Sequence, residues 1–291
     1  MSKKLSVKMN RDFIKNSQLG NNYWRSFVLT IVSIIIAVAV VNFAWSLILP
    51  SNMSDTLMVN LINIILMVNI LVALLAFRFA FTKFHKGSFK SMNSIKERFR
   101  IGVYAIFFVL GLVIFFLNSL MTNFTNFQNF IKNFQLNQFL ILLILSIISL
   151  PIQSYFEELF FRGYLLQFFG VKFKRIAVTI IINSILFGLF HIGYGLSNFI
   201  SSFLFSTVVC IITLRTSGIE AASGIHTANN LVIALFFQTL SDIKDIPFSW
   251  EINFNELFVE ICTFAIILWF TFTWAKQNEK KQILMSNSQE S

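Results

Sequence analysis

Eight stretches of about 20 apolar residues dominate this chain and leave few folds open to it. They lie approximately at 27–49, 57–81, 101–121, 139–160, 176–195, 197–214, 219–240 and 257–275. A helix of about 20 apolar residues is long enough to cross the hydrocarbon core of a bilayer. The sequence therefore predicts an all-α, polytopic membrane protein with about eight transmembrane helices.

The composition agrees with this prediction and excludes a water-soluble enzyme. Of the 291 residues, 56% are hydrophobic and only 12% are charged, whereas soluble domains usually contain about 25% charged residues. Both cysteines, Cys210 and Cys262, lie inside apolar stretches. The chain therefore offers neither a disulfide framework nor a cysteine zinc site.

The positions of the positive charges predict the orientation in the membrane. Short cytoplasmic loops of membrane proteins collect Lys and Arg. If the N-terminus is cytoplasmic, only Lys132 and Lys244 among the 23 Lys and Arg residues fall on the outer side. An even number of spans with both termini in the cytoplasm fits this distribution. Topology thus explains the net charge of +10, and we expect no nucleic-acid partner.

We expect a single integral membrane domain over 27–275, with a motif-bearing core at 139–240. It is flanked by a basic cytoplasmic N-terminal segment, 1–26, and a cytoplasmic tail, 276–291. Two connections have amphipathic patterns. The connection 83–100 favours either a helix on the cytoplasmic leaflet or a solvated basic loop, and the Asn-Phe pairs of 121–137 favour an interfacial helix on the outer face.

Polar groups inside the predicted spans need a reason, because ionisable side chains are costly in a bilayer. They fall into three groups, on the fourth, fifth and seventh spans. The groups are Glu157, Glu158 and Arg162; Phe187 and His191; and His226 and Asn230.

The two adjacent carboxylates of the first group are expected to differ in role. Glu158 and Arg162 are four residues apart, so they share a helix face and can form an ion pair. Glu157 lies about 100° round the helix, without that cation, which makes it the better candidate for a general base. The alternative is that these residues only hold helices together.

The other two groups supply imidazoles and an amide. Phe187 and His191 share a face by the same spacing. His226 and Asn230 also share a face, and two N–H donors that converge on one oxygen can stabilise a tetrahedral oxyanion. The alternatives are a packing histidine and an amide bonded to a neighbouring helix. The third histidine, His85, lies in the basic connection and needs no function.

The three groups, in this order and on separate spans, resemble the signature motifs of the CAAX protease and bacteriocin-processing family of intramembrane endopeptidases. That family includes the bacterial Abi proteins and the eukaryotic prenyl-protein proteases. The resemblance covers about residues 155–230. It implies that Glu157 and His191 activate a water, and that His226 and Asn230 stabilise the oxyanion. It further implies that Glu158 and Arg162 support the site.

The resemblance leaves a metal cofactor open. Glu157, His191 and His226 would offer one carboxylate and two imidazoles, a ligand set that zinc accepts with a fourth position open for water. The same residues can act directly as acid and base. Of the two possibilities, we favour water activation without a metal.

One distance conflicts with the predicted site. If the fourth span ends near 160, Glu157 lies close to its cytoplasmic end, whereas His191 lies about 22 Å along a fifth span that starts at 176. Straight, upright helices would keep the two apart. A fourth helix extended to about 168, with a bend at Pro151, and a tilted fifth helix would bring them closer.

The leading functional hypothesis is an intramembrane endopeptidase that acts on a membrane-associated protein or peptide precursor. The alternatives are a catalytically silent membrane immunity or scaffold protein and a proton-coupled transporter. The expected partners are the lipid bilayer and a peptide or lipidated protein substrate. The richness in Asn, Ile, Phe and Lys favours a bacterial cell membrane and a secreted peptide precursor.

Overall fold

A computed structural model describes residues 12–17, 19, 23–49, 55–173, 175–237 and 248–289. Within these ranges the chain is helical almost throughout and forms no β-strand, apart from an isolated bridge between Ser94 and Gly218. The prediction of an all-α, polytopic membrane protein is confirmed.

All eight predicted apolar stretches are mainly helical where they are described. Three of the helices continue into a short π-helical segment: α2 into Phe81–His85, α5 into Leu159–Leu165 and α9 into Ile233–Phe237. The helices numbered here are α1 (Tyr23–Ile48), α2 (Asp55–Ala80), α3 (Ile101–Thr122), α4 (Phe124–Lys132), α5 (Leu136–Glu158), α6 (Leu166–Phe173), α7 (Ile176–Phe190), α8 (Leu196–Thr216), α9 (Glu220–Val232) and α10 (Phe254–Gln289).

Six helical segments in the described ranges are long and apolar enough to cross a membrane. The other two predicted spans correspond to α7, with 15 residues, and to α9, with 13 residues before its π segment, and neither is among these six. The count of eight spans and the cytoplasmic termini remain predictions. The six segments are Tyr23–Ile48, Ile64–His85, Ile101–Thr122, Leu136–Phe173, Leu196–Thr216 and Phe254–Lys281.

The fourth span is longer than its apolar stretch of 139–160 indicates. It runs from Leu136 through α5, the π segment and α6 to Phe173, and Pro151 lies inside it. Glu158 is therefore fifteen residues before the end of this span, and His191 is fifteen residues after the start of α7. Both lie about 22 Å from the turn between them, so the extended helix removes the expected mismatch in height.

Helix α9 lies at the centre of the molecule and carries the third motif. Its residues from Glu220 to Ala228 are all buried. It packs closely against Gly111 of α3: a Cβ atom added to this glycine would lie only 2.7 Å from the Cβ of Ala228. Small residues at such contacts let two helix backbones approach.

The connection 83–100 does not form the amphipathic helix that its spacing favours. After the π segment that ends at His85, it contains one 3₁₀ turn, Phe89–Met92, followed by residues 93–100, which we name the cap segment. Met92 is buried, and Ile95 packs against the core. The apolar residues thus face the protein interior rather than a lipid surface. Between 121 and 137, by contrast, α4 forms the expected helix and buries none of its residues.

The predicted flanking segments are partly described. Within them, residues 1–11, 18, 20–22 and 290–291 lie outside the described ranges. Phe13 and Ile14 are buried in the core, and a Cβ atom on Gly170 of α6 would lie 2.7 Å from Ile14. At the other end, α10 continues as one helix past 275 to Gln289. The boundaries at 26 and 275 remain predictions.

Candidate active site

Glu158 and Arg162 form a completely buried ion pair. The Arg162 Nη1 atom donates to Glu158 Oε1 at 3.0 Å, and both side chains have 0% exposure. The spacing of four residues predicts this contact, although Arg162 lies in the π segment and Glu158 at the end of α5. Burial removes both charges from solvent, so each depends on the other for compensation.

His226 joins this pair from α9. Its Nδ1 atom lies 2.7 Å from Glu158 Oε1, the same oxygen that accepts from Arg162, and its Nε2 atom lies 3.8 Å from Glu157 Oε2. The third motif is therefore brought against the first. Sequence reasoning assigned His226 to an oxyanion site with Asn230 and did not anticipate its bond to Glu158.

Glu157 is the more accessible of the two carboxylates. Its side chain is 20% exposed, against 0% for Glu158. Its Oε1 atom accepts a hydrogen bond from the Nε2 of Gln153, one turn earlier on α5, at 3.1 Å. Sequence reasoning missed Gln153, although its i, i+4 spacing to Glu157 is a usable signal. The remaining oxygen, Oε2, is the one on the side of His226.

His191 follows the last residue of α7 and is oriented by the backbone. Its Nδ1 atom lies 2.9 Å from the carbonyl oxygen of Phe187. A carbonyl only accepts, so Nδ1 carries the proton, and a neutral ring then has its lone pair on Nε2. Among the described residues, no hydrogen bond or ion pair joins His191 to Glu157 or to His226.

Phe187 links the first two motifs to the third through its ring. The Arg162 guanidinium lies 4.5 Å from the ring centroid, and the imidazole of His191 stacks on Phe187 at 4.7 Å. His226 approaches edge-on, with centroids 6.0 Å apart. Phe187 itself is 2% exposed. Sequence reasoning placed Phe187 on the same face as His191 but did not foresee its contact with Arg162.

Asn230 lies one turn after His226 on α9 and is half-buried. Its Oδ1 atom accepts a hydrogen bond from Asn229 Nδ2 at 3.3 Å, which leaves the amide N–H₂ of Asn230 as the donor group. The structure places both predicted oxyanion donors on one helix. Their convergence on a single point remains a prediction.

Asn183 holds α7 against the π segment beneath the site. Its side chain is fully buried, and Nδ2 donates to the carbonyl oxygen of Phe161 at 2.7 Å. Its Oδ1 atom accepts from the Cys210 thiol of α8 at 3.4 Å. One amide thus joins three helical segments close to Arg162.

His85 is not the solvated loop residue that its position in the basic connection predicts. It is 3% exposed, and its Nε2 atom lies 2.8 Å from the hydroxyl of Tyr164, in the π segment after α5. Its ring also stacks on Phe81. His85 therefore anchors α2 to the span that carries the two carboxylates.

The candidate metal ligands do not form a metal site as they lie. Within the described ranges, no group of three or more His, Cys, Asp or Glu side chains is placed to hold a metal ion. Glu157, His191 and His226 therefore do not meet as a three-ligand set. We accordingly assign no step to a metal.

The residues of the site differ in exposure. On α9, Glu220 to Ala228 are buried, whereas Asn229 and Asn230 are half-buried. On α5, Glu158 is buried and Glu157 and Gln153 are half-buried. The half-buried residues Gln153, Glu157 and Asn230 therefore form the more accessible part of the site.

One region of the chain is similar to a family of proteases. Residues 135–232, which contain all three motifs, match the family model described as type II CAAX prenyl endopeptidase Rce1-like. The resemblance drawn from the motifs is thereby confirmed for that part of the chain. Together with the six helical segments that are long and apolar enough to cross a membrane, this similarity supports an integral membrane protein.

A relative from Bacillus subtilis (strain 168), named Uncharacterized protein YyaK, is 37% identical over 112 residues. The match covers 36% of this chain and 37% of that protein, so it spans little more than a third of the relative's length. No solved structure matches the chain.

Proposed function

We propose that this protein is an intramembrane endopeptidase of the CAAX-protease type. It hydrolyses a peptide bond of a membrane-associated protein or peptide precursor. The observation that carries the proposal is that the two adjacent carboxylates differ in burial and in contacts. Glu158 is buried and bonded to Arg162 and His226, whereas Glu157 is partly exposed and lies beside the same imidazole. The family match over 135–232 supports the same reaction class.

Glu157 and His191 are the groups that activate the attacking water. The carboxylate of Glu157 accepts a proton as the water oxygen attacks the scissile carbonyl, and the Nε2 lone pair of His191 accepts a hydrogen bond from the same water. Glu157 then returns the proton to the leaving amine nitrogen. The products are two peptides, and no acyl-enzyme forms.

His226 and Asn230 stabilise the oxyanion of the tetrahedral intermediate. Because Nδ1 of His226 points to Glu158, only its Nε2 faces the reaction, and Nε2 donates a hydrogen bond when the ring carries both protons. The carboxylate of Glu158 compensates that positive charge, and Arg162 fixes the carboxylate in turn. The amide of Asn230 is the second donor.

A comparison of membrane peptidomes tests this proposal even while the substrate is unidentified. Cells expressing the wild type are compared with cells expressing Glu157→Gln or His191→Ala. The matched control is Glu251→Gln, which alters an exposed carboxylate before α10. Cleavage products that disappear in both site variants and persist in the control support the proposal. Products that persist in both site variants contradict it and favour a silent immunity or scaffold role.

A further inference from the structure

The two helices whose side chains meet at Glu158 and His226 are also fastened together outside the motifs. We propose that the cap segment, residues 93–100, positions His226 against Glu158, with Asn93 and Tyr155 as positioning residues. This inference rests on the proposed function, since it concerns the alignment of the same site. The contacts of the cap segment with α5, with α9 and with the turn before α9 support it.

Asn93 bonds to both helices at once. Its side-chain Oδ1 accepts a hydrogen bond from the Tyr155 hydroxyl of α5 at 2.9 Å. Its backbone oxygen accepts from the N–H of Ile219, at the start of α9, at 2.8 Å. Asn93 is 7% exposed. A single buried residue therefore connects a position three residues before Glu158 with a position seven residues before His226.

Arg100, at the other end of the cap segment, fixes α9 more firmly. Its Nε and Nη2 atoms donate to the two oxygens of Glu220 at 2.8 Å and 2.6 Å, and its backbone N–H donates to Oε1 at 3.0 Å. Glu220 has 0% exposure. A bidentate guanidinium–carboxylate pair is directional, so it defines both the distance and the rotation of the first turn of α9.

The backbone between α8 and α9 is shaped for this contact. Ser94 forms a β-bridge with Gly218, and the N–H of Ile95 donates to the carbonyl oxygen of Ser217 at 3.2 Å. A Cβ atom on Gly218 would lie 2.7 Å from the Cβ of Ser94 and would also collide with the Arg100–Glu220 pair. The absence of a side chain at 218 thus permits the close approach.

These contacts matter for catalysis because the bond from His226 Nδ1 to Glu158 forms only when α9 has the right position along α5. The cap segment is attached to each helix within two turns of that bond. A misplacement of about 1 Å in a catalytic group lowers the rate by up to about 100-fold. The contacts therefore act through His226, without touching the substrate.

A double-mutant cycle on kcat tests the role of Asn93, with a synthetic peptide that spans a cleavage site found in the peptidome comparison as the substrate. Tyr155→Phe removes only the donor, Asn93→Ala removes the acceptor, and the two are combined. Each single change is expected to lower kcat by about tenfold and leave KM within about twofold, and the double variant is expected to match the singles. The matched control is Asn126→Ala, which removes an amide hydrogen bond to the Phe237 carbonyl oxygen. Effects that simply multiply in the double variant would contradict a shared bond.

Rescue by a conservative change separates positioning from a general loss of packing. Asn93→Asp keeps an acceptor oxygen for the Tyr155 hydroxyl, so it is expected to recover most of the kcat lost in Asn93→Ala. The same change in the Tyr155→Phe background is expected to recover nothing, because the donor is absent. Equal recovery in both backgrounds would overturn the assignment.

A readout independent of hydrolysis distinguishes failure of this inference from failure of the proposed function. The chain has three histidines, so the side-chain ¹⁵N resonances of His226 can be assigned by His226→Gln. Asn93→Ala and Tyr155→Phe are expected to shift these resonances, and Asn126→Ala is not. Shifted resonances without any hydrolysis by the wild type would retain the positioning role and reject the endopeptidase. Conversely, hydrolysis that depends on Glu157 but is unchanged in Asn93→Ala and Tyr155→Phe would retain the endopeptidase and reject the positioning role.

Discussion

The Nδ1 atom of His226 lies 2.7 Å from the Glu158 oxygen that also accepts a hydrogen bond from Arg162. One carboxylate oxygen thus compensates a guanidinium on its own span and orients an imidazole on another. Glu158 is committed to both contacts and is fully buried, whereas the neighbouring Glu157 is 20% exposed. The two adjacent carboxylates therefore have separate tasks, and their variants should differ in kind.

Glu158→Gln is expected to destabilise the protein, whereas Glu157→Gln is not. The first change leaves the buried charge of Arg162 uncompensated, which costs about 3–5 kcal/mol of unfolding free energy. The second replaces a partly exposed carboxylate whose bond to Gln153 involves one oxygen, and it should cost less than about 1 kcal/mol. Unfolding of both purified variants in detergent measures the difference.

Hydrolysis measured on the same two samples separates the roles further. Both variants should lose activity. Glu157→Gln should lose it while remaining folded, whereas Glu158→Gln should lose activity and stability together. A Glu157→Gln protein as unstable as Glu158→Gln would place both carboxylates in the structural network and leave no separate general base.

Phe187→Leu is expected to lower activity by more than the same change at another buried phenylalanine does. The change removes the ring face that contacts the Arg162 guanidinium at 4.5 Å and the His191 imidazole at 4.7 Å. A desolvated cation–π contact stabilises by about 2 kcal/mol. The carbonyl of residue 187 remains to orient His191, so we expect kcat to fall by about tenfold rather than vanish.

Phe168→Leu is the control for this change. Phe168 is also fully buried, but its ring packs on Trp24 and Phe27 of α1. The Phe168→Leu variant should be less stable, but the kcat of its folded fraction should change little. An equal fall of kcat in both variants would mean that Phe187 acts only as a core residue.

Local spacing predicted the parts of the site that lie within one helix. The pairing of Glu158 with Arg162 follows from the four-residue interval, and all eight apolar stretches are mainly helical where they are described. Residues four apart are neighbours on a helix surface, and this pair keeps its contact although Arg162 lies in the π segment. The same rule would have found Gln153 beside Glu157.

Contacts between helices were beyond that reasoning. Hydropathy placed the end of the fourth span near 160, because Arg162, Gln167 and the lysines that follow interrupt the apolar run. In the folded chain, Arg162 and Gln167 are buried by packing, so the helix continues to Phe173. Likewise, Phe89 and Ile95 looked like the lipid-facing residues of an amphipathic helix, but they pack on the core. In each case tertiary burial overrode a local pattern.

Asn183→Ala is expected to loosen α7 without removing any predicted catalytic group. The buried amide donates to the Phe161 carbonyl oxygen at 2.7 Å, and interhelical hydrogen bonds in membrane proteins contribute about 1 kcal/mol each. The midpoint of thermal unfolding should fall measurably. Asn133→Ala removes an exposed amide that donates to the carbonyl oxygen of Asn129, four residues earlier. This change should leave the midpoint unchanged. An equal effect of the two changes would contradict a structural role for Asn183.

Gly224→Ala is expected to disturb the site from the far side of α9. A Cβ atom at 224 would clash with the backbone of α3 at Tyr104 and lie 2.9 Å from the N–H nitrogen of Phe108. Overpacking of this kind costs about 1–3 kcal/mol, and the shift of α9 would move His226, two residues later, relative to Glu158. Hydrolysis per folded molecule should therefore fall together with stability. The matched change is Gly102→Ala in α3, where a Cβ atom meets nothing within 4 Å and helix propensity favours alanine by about 1 kcal/mol. If Gly224→Ala kept the activity and stability of Gly102→Ala, the close contact of α3 with α9 could not be what holds His226 in place.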